Sequence, residues 1–122
     1  MSIADHQTVR VLSGRFVLER AADAKDAADI LAAVNGPDGG AVMRRVDEAE
    51  DPADAWAALW NGDAAHPPDA TGMLAAIVAP LAVGAVPVWV AASFDGDIVL
   101  VPAARLDEVT RLLAEAGHRV EG

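Results

Sequence analysis

Two stretches of the chain carry groups suited to gripping a small charged molecule. Thr71-Gly72 opens an apolar helical repeat, where the first backbone N–H groups lack partners and the helix dipole turns its positive end outward. That setting suits a carboxylate. Asp97 stands at the end of a hairpin and can pair with an ammonium group, as can Asp95 or Asp69. Each acid also has a purely structural reading, because Asp95-Gly96 is a common hairpin turn and Asp69 can cap a helix. Ser93 either meets a ligand or ends a strand.

Other chemistry finds little support. His6, His66 and His118 have no metal-ligand spacing, and no Gly-rich phosphate loop follows a strand, so neither a metal nor a cofactor is implied. Ser93 with His66 and an aspartate can be drawn as a triad, yet no nucleophile elbow or known chain order accompanies it. The acidic residues Asp47, Glu48, Glu50, Asp51 and Asp54 lack the spacing of an EF-hand loop and read as a solvated segment. No catalytic signature emerges. Trp56, Trp60 and Trp89 read as packing residues rather than cofactor platforms.

Six elements in the second half must position these groups. Ala55 to Trp60 is a short apolar strand, broken by Asn61-Gly62, and the stiff loop His66-Pro67-Pro68-Asp69 follows. Leu74, Ile77, Val78 and Leu81 recur at helical spacing within Ala70 to Val83, with Pro80 expected to loosen the last turn. Val86 to Ser93 alternates as a strand, and Asp97 to Val101 forms its hairpin partner. Ala103 to Ala116 sets Leu106, Val109, Leu112 and Leu113 on one helix face, Gly117 ends it, and His118-Arg119-Val120 adds an edge strand. The order strand, helix, strand, strand, helix, strand predicts an α+β fold in which two helices cover one face of an antiparallel sheet.

The first half is less regular. Thr8 to Arg20 reads as one long strand kinked at Ser13-Gly14, Asp23 to Val34 as a short amphipathic helix stopped by Asn35-Gly36-Pro37, and Ala41 to Val46 as a strand.

Composition sets outer bounds. A length of 122 residues, 53% hydrophobic with a net charge of -10, describes a packed globular chain with room for one domain or two small modules. Such an acidic surface, with no Lys/Arg cluster, repels nucleic acid. Cysteine is absent and the N-terminus shows no secretory signal, so the cytoplasm is the default compartment. The uncharged run from Ala70 to Phe94 is long enough to cross a bilayer, where ~20 residues suffice. Pro80, Gly84 and Pro87 and its change from helical to strand periodicity mark it instead as a buried helix and strand in series.

Thr71-Gly72, Ala79-Pro80-Leu81-Ala82, Ser93-Phe94-Asp95-Gly96-Asp97, Leu100-Val101 and Ala116-Gly117-His118 together resemble the C-terminal half of CASTOR-type ACT-domain proteins, and Leu12-Ser13-Gly14-Arg15-Phe16 resembles that family's opening. The resemblance implies a ferredoxin-like βαββαβ ACT module over residues 55–122, preceded by an abbreviated ACT-like module over residues 1–54. It also implies a small-molecule ligand, typically an amino acid, held by Asp69, Thr71, Gly72, Ser93, Phe94, Asp95 and Asp97. The expected protein is a non-enzymatic, amino-acid-binding regulator, without cofactor, metal or membrane, that self-associates as a homodimer or larger assembly. Its rivals are a small biosynthetic enzyme using Asp69 or Asp97 as general base, and a dimerisation module that has lost its ligand.

Overall fold

The computed structural model describes residues 6–24, 28–47, 50, 52–65, 67 and 69–122. Eight strands among them make one sheet: β1 (Thr8–Val11), β2 (Arg15–Arg20), β3 (Ile30–Val34), β4 (Ala41–Val46), β5 (Trp56–Trp60), β6 (Trp89–Ala92), β7 (Asp97–Pro102) and β8 (Arg119–Glu121). Helix α1 (Met73–Val83) joins β5 to β6, and α2 (Leu106–Glu115) joins β7 to β8. The second half therefore follows the predicted ferredoxin-like order, an open and mostly antiparallel sheet with two helices.

The kink at Ser13-Gly14 is what forks this sheet. β1 and β2 lie along the same edge of β5, antiparallel to it, through the pairs Arg10 with Trp60 and Phe16 with Trp56. Beyond the kink the partners differ: β1 takes β8 in parallel, whereas β2 takes β4 and then β3, both antiparallel. The last strand consequently never touches β5, because β1 fills the place between them. On its other edge β5 pairs with β7, and β7 with β6.

One expected element is corrected. Ile30–Val34 is strand β3, not the end of a helix, and it pairs antiparallel with β4 from Val34 opposite Ala41 to Ile30 opposite Arg44. An isolated helix of about a dozen residues is marginal in water. Tertiary pairing wins: β3 satisfies the free edge of β4, the Asn35 to Gly40 segment closes the hairpin, and the Asp38 carboxylate accepts the Gly40 N–H at 3.0 Å. A register shift between Ile30 and Ala32 absorbs the misfit of a helix-like apolar pattern on a strand.

Strand alternation builds two cores. Ala57 and Leu59 of β5 and Val99 and Val101 of β7 face the helices, where they meet Ile77, Leu81, Val109 and Leu113. Ala58, Ile98 and Leu100 point to the opposite face and join Phe16, Met43, Ala32 and Ala91. Residues of β3 and β4 share this cluster with residues of β6 and β7, so the sheet coils on itself and covers its own second face. That double burial explains an apolar content of 53% in so short a chain. Trp56 and Trp60 pack on the second core, while Trp89 remains 45% exposed at the β6 edge. No helix of the described residues is long and apolar enough to cross a membrane.

Pro80 lies inside α1 and has no N–H to offer the carbonyl four residues earlier. The Ala76 carbonyl is instead met by His118, whose Nε2 donates to it at 2.8 Å while its Nδ1 accepts the Gln7 backbone N–H at 3.1 Å. Since a carbonyl only accepts and an amide N–H only donates, the His118 proton sits on Nε2. The ring is 5% exposed, so both partners would otherwise be buried and unsatisfied. Pro80 and His118 thus form a compensating pair. The expected result is a non-additive double-mutant cycle: Pro80→Ala restores a donor to Ala76, and His118→Leu should then cost about 1 kcal/mol less than in the wild-type background, measured by urea unfolding.

Candidate functional site

A cleft of about 450 Å³ opens between the start of α1 and the β6–β7 hairpin, within the range of small-ligand sites. One wall is Gly72, Met73, Leu74 and Ala75; the other is Ala92, Ser93, Phe94 and Asp97; Pro67 and Ala70 close one side.

The first wall is a bare helix end. Gly72 takes the N-cap position at φ 79°, ψ -2°, a left-handed conformation that admits glycine without strain, and no side chain caps the helix. Its carbonyl accepts the first helical hydrogen bond, from the Ala76 N–H at 3.0 Å. The N–H groups of Met73, Leu74 and Ala75 precede that bond and belong to the unsatisfied first turn. No acidic residue occupies the turn to neutralise its dipole.

The second wall is a tight turn in which the Ser93 N–H donates to the Gly96 carbonyl at 2.8 Å. Asp97, opposite Ala92 in the ladder, follows the turn and is half-buried. Its carboxylate is the single charged group lining the cleft among the described residues. Phe94 projects at the mouth, 78% exposed.

Of the residues read from the sequence, Gly72, Ser93, Phe94 and Asp97 come together on this cleft. Thr71 is exposed beside it, Asp95 is exposed on the hairpin turn, and Asp69 sits in a turn closed by the Ala70 N–H and the Pro67 carbonyl, without capping α1. His66 and Pro68 lie outside the described residues. The remaining acid of that loop, Asp63, is engaged elsewhere: it accepts Arg10 Nε at 2.7 Å and Trp60 Nε1 at 3.0 Å. The hydrogen bond from Arg10 holds the Asp63 carboxyl below the usual carboxylate range. No group of three potential metal ligands occurs among the described residues.

Sequence reasoning missed Gln7 and Asn61. Both are buried, and both reach the groups that form the cleft: Asn61 Oδ1 accepts the Asp97 N–H at 2.6 Å, and Gln7 Nε2 donates to the Met73 carbonyl at 2.8 Å. Asn61-Gly62 had the appearance of a strand breaker alone.

An open, mostly antiparallel sheet, two helices on one face and a cleft at a helix N-terminus define a small α+β protein of ferredoxin-like architecture. Residues 53–115 match the sequence profile of the ACT domain, just over half of the chain, and the protein belongs to the ACT-domain family. Such membership points to a small-molecule-binding regulatory role. Two solved structures share the fold over nearly the whole chain. One is a Vibrio cholerae protein of unknown function described as a possible transport protein, 16% identical, with a TM-score of 0.71 over 90% of each chain. The other is an Agrobacterium tumefaciens protein, 21% identical, with a TM-score of 0.70 over 94% of this chain and 92% of that one. No curated protein matches in sequence.

Proposed function

We propose that the protein is an amino-acid-binding regulator related to CASTOR-type ACT proteins, with the cleft at the start of α1 as its ligand site. One observation carries this reading: the unpaired N–H groups of the α1 first turn and the Asp97 carboxylate open on the same cleft. A cation-seeking and an anion-seeking group on one cleft suit a zwitterion, with its carboxylate on the helix end and its ammonium on Asp97. Pro67, Leu74, Ala92 and Phe94 give the lining an apolar part beside the Ser93 hydroxyl, which favours an aliphatic or aromatic side chain over a cationic one. The cleft is open and its acid half-buried, an arrangement that favours ligand sensing over a deep pocket built around a buried general base.

In this reading residues 1–54 are an abbreviated ACT-like module, and the protein self-associates in the cytoplasm. Support for self-association comes from edge strands β3 and β6 and from the exposed Val83 and Trp89. A thermal-shift series over the twenty amino acids tests the ligand assignment. An apolar amino acid at a hundred times its Kd should raise the melting temperature by roughly 5–10 °C, with arginine and lysine giving much less. If no amino acid shifts the transition, the assignment fails.

A further inference from the structure

We propose that Gln7 and Asn61 are positioning residues that fix the width of the cleft and tie ligand binding to the seating of Gln7 beside β8. The proposal rests on reading the cleft as a ligand site. Its basis is an unbroken chain of side-chain amides between the two walls. The Asp97 N–H donates to Asn61 Oδ1 at 2.6 Å, Asn61 Nδ2 donates to Gln7 Oε1 at 2.9 Å, and Gln7 Nε2 donates to the Met73 carbonyl at 2.8 Å. Met73 begins α1 and contributes one of the free first-turn N–H groups; Asp97 supplies the acid. The two gripping elements are the two ends of this chain.

The direction of the chain is fixed at both ends. A backbone N–H can only donate and a carbonyl only accept, so Asn61 must turn its oxygen to Asp97 and Gln7 its nitrogen to Met73. Flipping either amide would bring two donors or two acceptors face to face. Gln7 is 8% and Asn61 7% exposed, and a partly satisfied buried network is costly. The chain is anchored from behind as well. The Gln7 backbone donates to His118 Nδ1 at 3.1 Å and accepts from the Arg119 N–H at 2.9 Å. The position of Gln7 is therefore set by β8 and by the histidine that satisfies α1. Gln7 and Asn61, 54 positions apart, are thereby locked to each other.

The test compares wild type with Gln7→Met, Asn61→Ala and Val109→Ala, the last a destabilising change in the helix core away from the cleft. Two readouts are taken by NMR: titration with L-leucine, and exchange of the Asp97 amide, which Gln7 does not touch directly. L-leucine affinity should fall about tenfold in Gln7→Met and Asn61→Ala and stay at the wild-type value in Val109→Ala, and Asp97 exchange in Gln7→Met should quicken about tenfold relative to Val109→Ala. Equal leucine affinity in all four proteins overturns the proposal. Should L-leucine fail to bind wild type, the ligand assignment is what fails, and the exchange readout still decides the positioning claim: Asp97 protection in Gln7→Met equal to that in Val109→Ala refutes it.

Discussion

Gly96→Ala is expected to cost about 3 kcal/mol and to lower the melting temperature by roughly 10 °C, at the upper end of what overpacking does. A Cβ on Gly96 would run into the Gly62 Cα and stand 2.6 Å from the Gly62 N and 2.9 Å from Asn61 Oδ1. The first two are backbone atoms and cannot swing aside. The Trp60 ring also lies close to Gly62 and crowds this corner further. Relief requires the β6–β7 hairpin to lift from the end of β5, which pulls Asp97 off Asn61 and opens the cleft. Amino-acid binding should therefore weaken together with stability. Urea unfolding and the thermal-shift series on the same variant check both; a melting temperature within a degree or two of wild type would show that the hairpin yields freely.

The same glycine shows what a sequence conveys and what it conceals. Asp95-Gly96 reads as a turn pair because glycine commonly supplies a positive φ, yet Gly96 is not among the residues with positive φ. It is needed for space against a backbone 34 positions away, and nothing in its neighbours announces that. Elements with strong local patterns were legible: the face of α2 formed by Leu106, Val109 and Leu113, and the continuous apolar run of β7, each emerge within a few residues of the expected bounds. Asp23 to Val34 misled because Ala27, Ile30, Leu31 and Val34 at helical spacing weigh less than a free strand edge on β4.

The cleft was half legible for the same reason. Gly72 and the Ser93 to Asp97 turn carry recognisable local patterns, and each contributes a wall. Asp69 and Asp95 are chemically equivalent to Asp97, and only the ladder register that places Asp97 opposite Ala92 separates them. Gln7 and Asn61 had no signal at all. Their pairing depends on β1 entering between β5 and β8, a parallel contact between the two ends of the chain that local periodicity does not encode.

Asp97→Asn should weaken binding of an apolar amino acid by roughly 10- to 100-fold, the loss expected when a hydrogen bond to a charged group becomes neutral. Stability should change little. The substitution keeps the shape of the side chain, and the contact that holds this end of β7 is made by the Asp97 backbone N–H, not by its carboxylate. Asp69→Asn and Asp95→Asn remove the same charge from the same acidic surface without touching the cleft lining, and both should bind as wild type. The ligand can be altered in parallel. 4-Methylpentanoate is leucine without its ammonium group, so it should bind wild type and Asp97→Asn equally and weakly; isothermal titration of both compounds against the four proteins closes the cycle. Equal loss in all three variants would mean that the aspartates act only through net charge, and unchanged leucine binding in Asp97→Asn would remove this carboxylate from the site and leave the α1 N-terminus as the sole anchor.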